Sequence, residues 1–326
     1  MKIIKPSFYK DFQCIAGACP DSCCQGWEVD ADEASLAYYR TLDPSLEIRQ
    51  RIDRVLDKDE FDNTIFTLAP KKRCPFLNAE NLCDMHIAIG QEHTPDTCRN
   101  FPRFFYDYGG TREIGISFSC PVAADMMYNL SDDWTFEEEV TPELPSLNDI
   151  DAQWFFALKK ARSAIYKTLQ NEQLSVPERL MLAADICRPL TQLADEYGVE
   201  APVPTDDIDF FDVFKNPELI NPEWEEKRRH AAVKPVENCR ANANIAMYFI
   251  YKYFLSAAYD YDVESKLKMA IIGVLIHTYF GADAWTVHLW SKETEHSQYN
   301  MDRYKRLLRE AKCLSLDYLI TLLNKQ

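Results

Sequence analysis

CIAGACPDSCCQGW, residues 14–27, sets Cys14, four residues, Cys19, three residues, and then the adjacent pair Cys23 and Cys24 on one short stretch. Such spacing lets a loop wrap several thiolates around one centre. Neighbouring cysteines rarely reach the separation and orientation that an unstrained disulfide needs, so at least one of the pair requires a distant partner or a metal. A second group follows: Cys74-Pro-Phe-Leu77, Cys83-Asp-Met-His86, Cys98-Arg-Asn-Phe-Pro-Arg103 and Cys120-Pro121. Eight of the eleven cysteines therefore precede residue 121, while Cys187, Cys239 and Cys313 are scattered through the remainder.

Soft thiolates select zinc, cuprous copper or iron-sulfur clusters over magnesium and calcium. A zinc ribbon prefers two close cysteine pairs, which the wide steps between Cys74, Cys83 and Cys98 do not supply. Iron-sulfur clusters tolerate thiolates arriving from separate loops, so the spacing predicts such a cluster, with zinc as the alternative. Eight thiolates can hold one cluster plus structural thiols, a cluster plus zinc, or two centres; the bland alternative is eight buried small hydrophobes. His86 is a candidate ligand or a neighbour of one. Arg99 and Arg103 flank the Cys98 turn and can donate to cluster sulfurs, hold a carboxylate, or form ordinary salt bridges.

Around this region the chain is that of a packed protein, with 47% hydrophobic and 27% charged residues. The formal charge of -16 argues against a general affinity for nucleic acid or an anionic membrane, and points instead to a basic protein surface. No apolar run has the length of a signal peptide or a membrane span, so a cytoplasmic protein is expected. In that reducing compartment, clustered cysteines favour metal or redox chemistry over a disulfide framework.

The expected fold is mainly α with minor β: a loop-rich, cysteine-rich module over residues 1–130, containing a short β-hairpin, packed on a helical domain over 131–326. The boundary rests on Asp132 to Asp151, acidic with two prolines and no Lys or Arg, which reads as a solvated connector. Asp195 to Asp212 reads as a second loop. Asp30 to Lys58 has helical spacing broken at Pro44. Phe104 to Tyr108, Gly109-Gly110 and Arg112 to Phe118 form a hairpin pattern, because glycine accepts the positive φ of a tight turn. Helices are expected near Ala152 to Leu169, Pro177 to Tyr197, Glu237 to Tyr259, Val263 to Phe280, Met301 to Ala311 and Ser315 to Asn324. Ser175 with Glu178 fits a capping box, and Gly198 and Gly281 are natural stops. Ile245 to Leu255, apolar on nearly all faces, reads as a buried central helix.

The first cysteine group with Gly26-Trp27, followed by Cys74-Pro-Phe-Leu77, Leu82-Cys83, Gly90, Cys98 and Phe101-Pro-Arg103, resembles flagellin lysine N-methylases. The cysteine-rich module also resembles a broader set of zinc- or iron-chelating proteins. The likeness covers about residues 8–122 and extends more weakly to the aromatic helix around Asn244 to Phe254. It implies transfer of a methyl group from S-adenosylmethionine to lysine amines of flagellin by an enzyme with a 4Fe-4S cluster. Two familiar signatures are absent: no Gly-x-Gly-x-x-Gly loop occurs. The Cys-x3-Cys-x2-Cys pattern of radical S-adenosylmethionine chemistry also fails, since Gly26 follows Cys19 and Cys23 where its third cysteine would stand. Tyr248, Phe249, Tyr251, Tyr253 and Phe254 are candidates for a lysine-binding cage or for core packing. The alternative function is a non-enzymatic metal-chelating or redox-sensing module that binds a protein partner.

Overall fold

The computed structural model describes residues 1–144, 149–197 and 203–325. The expected stop at Gly198 lies outside the described residues. In chain order the strands are β1 (Lys2–Pro6), β2 (Val29–Asp30), β3 (Leu56–Lys58), β4 (Thr64–Phe66), β5 (Arg103–Tyr108), β6 (Thr111–Ile116) and β7 (Phe136–Val140). The first five helices are α1 (Glu33–Thr41), α2 (Glu47–Val55), α3 (Asp84–Ile89), α4 (Asp96–Asn100) and α5 (Pro121–Tyr128). They are followed by α6 (Ala152–Leu169), α7 (Val176–Glu196), α8 (Pro222–Arg229), α9 (Arg240–Tyr253) and α10 (Ala257–Asp260). The chain closes with α11 (Val263–Phe280), α12 (Ala284–Glu295), α13 (Gln298–Glu310) and α14 (Leu316–Leu323). With 56% helix and 12% strand the protein is mainly α with minor β.

Two compact units share the chain. One comprises Met1–Phe12, Phe105–Ser119 and Ala123–Gln326, and the other Gln13–Phe104 with Cys120–Val122. All eight cysteines of the two sequence groups fall in the second, smaller unit.

The larger unit is organised by α9 and α11. Asn242 to Lys252 of α9 are buried without interruption, as the apolar run around Ile245 predicts. Gly273 lets α11 come close, since a Cβ there would stand 2.6 Å from the Phe249 ring. The Gly281 backbone ends α11 at φ 154°, a conformation few side chains tolerate. At the start of α7 the Ser175 N–H and hydroxyl each donate to Glu178 Oε2 at 2.7 Å, which completes the expected capping box.

A four-stranded sheet of order β5-β6-β1-β7 belongs to the same unit, with β5 and β6 forming the expected hairpin. Its outer strand corrects the reading of Asp132 to Asp151 as a plain connector. Phe136–Val140 pairs antiparallel with β1, and Glu138, Glu139 and Glu137 meet Lys2, Lys5 and Lys10 at 2.7, 2.9 and 3.4 Å. The acidic run is strand-forming because a lysine-bearing strand neutralises it. Five helices, α3, α4, α5, α8 and α12, also lie where no helix was expected. Among the described residues, no helix is long and apolar enough to cross a membrane.

Glu113 on β6 and Arg162 on α6 form a bidentate ion pair buried from solvent, with the guanidinium 5.4 Å from the Tyr166 ring centre. Glu113→Leu strands the Arg162 charge and should cost about 3–5 kcal/mol by urea unfolding. The double variant Glu113→Leu/Arg162→Met should recover most of that loss, and an equal or larger loss in the double variant would show that the pair itself is strongly stabilising.

Burial lowers His277 to about 4 and His296 to about 3, against the opposing pull of Asp283 and Glu295 respectively. Unfolded histidine titrates near 6.5. The unfolded chain therefore binds more protons than the folded one between these values, and stability falls as pH drops from about 6.5 toward 4. His277 alone accounts for on the order of 3 kcal/mol of this loss. Urea midpoints at pH 7 and 4.5 should differ less in His277→Gln than in the parent; an unchanged difference would remove His277 as the cause.

Candidate metal centre

In the smaller unit α1 and α2 flank the break at Pro44. They bury Leu36, Tyr39, Ile48 and Ile52 with Val29, Phe66, Phe76 and Met85, and Cys74 and Cys83 pack on the edge of this cluster. The two cysteine groups meet through the backbone. Gln25 and Arg73 pair antiparallel, the Cys74 N–H donates to the Cys24 carbonyl at 2.8 Å, and the Gly26 N–H donates to Lys72 at 2.9 Å. Gly17 sits against the residue 80–82 turn, where a Cβ would stand 2.6 Å from the Glu80 carbonyl oxygen. The loop of Cys14 and Cys19 is thereby held beside the turn that precedes Cys83.

Cys74 and Cys83 occupy matched turns. Leu77 bridges Cys83 antiparallel, and the Asp84 N–H donates to the Phe76 carbonyl at 2.8 Å. Phe76 and Leu77 direct their N–H groups at the Cys74 sulfur, and Met85 and His86 direct theirs at the Cys83 sulfur. Amide donors two and three residues after a cysteine stabilise negative charge on its sulfur. Burial nevertheless pushes the Cys74 thiol up to about 12 and raises Cys83; Cys98 is raised by desolvation as well, although the residue as a whole is exposed. Their remaining upward shift is mutual: Cys98 responds to Cys24, Cys74 and Cys83, Cys74 to Cys24 and Cys83, and Cys83 to Cys24. These four thiols thus lie within electrostatic range of one another.

Of the other four, Cys23 also lies beside Cys24 and Cys98. Cys23 is raised first by a hydrogen bond with Cys24 and by burial, then by Cys24, Cys98 and Cys14. The exposed Cys14 sulfur accepts from the Ala16 N–H at 3.4 Å, the Cys19 thiol donates to the Asp21 carbonyl at 3.3 Å, and Cys120 is buried. Among the described residues, no three His, Cys, Asp or Glu side chains stand in a geometry ready for a single ion.

Arg99 lies on α4 with Cys98 and lowers that thiol's pKa by its charge, but its guanidinium is held by the Glu92 and Thr94 carbonyls and by Asp96 at 3.1 Å. The salt-bridge and sulfur-stabilising roles coexist in this residue. Arg103 opens β5, and His86 is exposed on α3, where its backbone N–H serves Cys83.

Sequence reasoning passed over Arg51. From α2 it donates to Asp84 at 2.7 Å and to the Pro75 carbonyl at 2.8 Å, while its guanidinium lies 5.5 Å from the Phe76 ring centre. One side chain thus ties the Cys74 turn to the start of α3. Its signal was its place on the amphipathic α2, four residues from Val55 and one from Ile52, too common a pattern to single it out. Arg51→Ala removes two charge-assisted bonds that are partly open to solvent, a change of about 1–2 kcal/mol in local opening. Alkylation of Cys74 and Cys83 in metal-free protein, followed by mass spectrometry, should speed up several-fold relative to Cys313; unchanged rates would show that the clamp is idle.

Comparison with known proteins gives distant relatives. The chain is 25% identical over 130 residues to the flagellar biosynthetic protein FliU of Salmonella muenchen, a match covering 39% of this chain and 77% of that protein. It is also 25% identical over 140 residues to the lysine-N-methylases of Salmonella choleraesuis and Salmonella typhimurium. That match spans 42% of this chain and about a third, 35%, of each methylase. No family model and no solved structure matches. The chain is therefore distantly related to Salmonella lysine-N-methylases over about two fifths of its length.

Proposed function

We propose that the protein is a protein-lysine N-methyltransferase that takes its methyl group from S-adenosylmethionine and depends on a thiolate-bound metal group, a 4Fe-4S cluster rather than zinc. The observation that carries the reading is the relationship to lysine-N-methylases, and the convergence of Cys24, Cys74, Cys83 and Cys98 supports its metal-dependent part. Flagellin is the proposed substrate, since one relative is named for flagellar biosynthesis.

The donor set fits a cluster chemically. Four sulfurs come from separate segments, Cys98 from α4, two of them already receive paired amide N–H donors, and no hard oxygen ligand is needed. Cys24, Cys74, Cys83 and Cys98 would hold the group, with Cys14, Cys19, Cys23 and Cys120 as further candidates. When bound, such a group supplies an electron-exchanging, charge-storing centre. The chain's own part is to hold the thiols in register through the 24–26 and 72–74 pairing and to surrender their protons on loading, so uptake should be favoured by higher pH.

The competing reading, a metal-chelating or redox-sensing module, shares the thiol geometry and lacks only recognition of S-adenosylmethionine. Anaerobically purified protein should contain about four iron and four sulfide per chain. It should also move a labelled methyl group from S-adenosylmethionine to lysines of a flagellin encoded by the same genome. Cys24→Ser and Cys98→Ser should each lose most of the iron, whereas Cys187→Ser, far from the module in sequence, should retain it. Zinc alone under iron-replete expression, with no methyl transfer, would establish the chelating module instead.

A further inference from the structure

The larger unit carries a hydrogen-bonded triad of Tyr128, His277 and Asn242. Tyr128 ends α5, His277 lies on α11, and Asn242 lies near the start of α9. Tyr128 Oη is 3.0 Å from His277 Nε2, and His277 Nδ1 is 2.7 Å from Asn242 Oδ1. The amide has one sensible orientation, because Asn242 Nδ2 donates to the Glu237 carbonyl at 2.8 Å and leaves Oδ1 facing the ring. Nδ1 must then bear the imidazole proton. Since burial holds His277 neutral at pH 7, its Nε2 lone pair accepts the Tyr128 hydroxyl proton.

That commitment sets the polarity of Tyr128. A phenol has one proton, so the Ala282 carbonyl, 3.3 Å away, competes for a donor already directed at His277. Tyr128 Oη is left with acceptor capacity, and among the described residues no donor reaches it. The residue is only half-buried. Besides burial, the groups that raise it are Cys239, Asp283 and Glu237, and of these the two carboxylates also favour a nearby cation. One cation already sits at this rim: Lys227 Nζ lies 3.2 Å from Asp283 Oδ2 and 2.7 Å from Thr286 Oγ1. Glu237 is exposed.

We propose that Tyr128, its proton held by His277, is the hydrogen-bond acceptor for the amine head of an incoming lysine side chain, with Glu237 and Asp283 supplying the electrostatic attraction. The assignment rests on the lysine-methyltransferase reading and adds to it a substrate-recognition group. Tyr128 touches the substrate, while His277 and Asn242 are positioning residues that fix which way its hydroxyl points.

The probe is Nα-acetyl-lysine methylamide, titrated into the full-length chain at pH 7 and followed by the NMR signals of the His277 ring. Nα-acetyl-norleucine methylamide serves as the isostere without an ammonium. The lysine probe should shift those signals saturably and the norleucine probe should not. Tyr128→Phe, which keeps the ring and its packing, should weaken binding by about tenfold or more, the worth of one hydrogen bond to a charged group. Equal affinity in Tyr128→Phe, or no saturable response in folded parent protein, overturns the site. Steady-state methyl transfer separates this from the parent reading: the site predicts that Tyr128→Phe raises KM for the protein substrate far more than it lowers kcat. Transfer with unchanged KM sinks the Tyr128 assignment and leaves the methyltransferase; probe binding without any transfer does the reverse.

Discussion

The hydrogen bond from the Cys74 N–H to the Cys24 carbonyl, 2.8 Å long, is where the smaller unit is closed. It joins segments separated by both helices α1 and α2 and by the short β2-β4-β3 sheet, so the loop-closure entropy between them is offset by local contacts made near that bond. The supply of such contacts is limited. The unit's core consists of a single small cluster, and its helices run from five to nine residues, too short to be stable alone. Arg51, the Asp84 N–H to Phe76 bond and the pairing of Leu77 with Cys83 all act within a few residues of the same junction. A small core closed by a few polar ties is the situation in which a bound metal adds most to stability, because its binding free energy becomes folding free energy.

The same junction explains why the thiols are raised rather than lowered in pKa. Each N–H donor favours thiolate, but burial beside other sulfurs costs more than one or two amides return. In the metal-free module Cys74 and Cys83 are consequently half-buried, protonated thiols, while Cys14 and Cys98 stand exposed. For Cys74 and Cys83 this weighs against a simple thiol sensor, whose cysteines need low pKa and access, and is compatible with a site completed by a cation that replaces the protons.

Much of the architecture was legible in the sequence. Ala152–Leu169 and Val263–Phe280 fall where their apolar spacing puts them, since both bury residues that are overtly hydrophobic. The hairpin at Gly109-Gly110 was equally plain, as only its turn residue carries the positive φ. Ala284–Glu295 escaped because it buries Thr286, His288, Ser291, Lys292, Glu293 and Thr294, and a buried polar side has no hydrophobic period. Glu293 shows what that polarity is for: it accepts from Asn216 and from the Ile220 and Asn221 amides, tying down the segment before α8. Phe136–Val140 escaped for the complementary reason, that its partners Lys2 and Lys5 lie at the start of the chain. For the proposed metal centre, composition revealed eight thiols, but the preference for Cys24, Cys74, Cys83 and Cys98 required their three-dimensional neighbours.

The aromatic helix shows how composition can point to the right chemistry at the wrong place. Tyr248 and Tyr253 do flank an ammonium, at 5.6 and 5.4 Å from their ring centres, but it belongs to Lys252 of the same helix. That ammonium is also paired with Glu295 and bonded to Ser117 and Tyr248, each at 3.2 Å, while Tyr253 donates to Glu295 at 2.8 Å. Although burial alone would raise it, the Lys252 charge and these donors hold the Glu295 carboxyl below the usual range, so the pair is ionised and satisfied. Displacing Lys252 would strand a buried carboxylate, at a cost no incoming lysine could repay without replacing every one of those bonds. A site for an external amine must instead offer an acceptor whose own proton is already spent and which still faces water. Tyr128 meets both conditions, through a histidine that burial keeps neutral, and it does so without any charged group having to leave its partner.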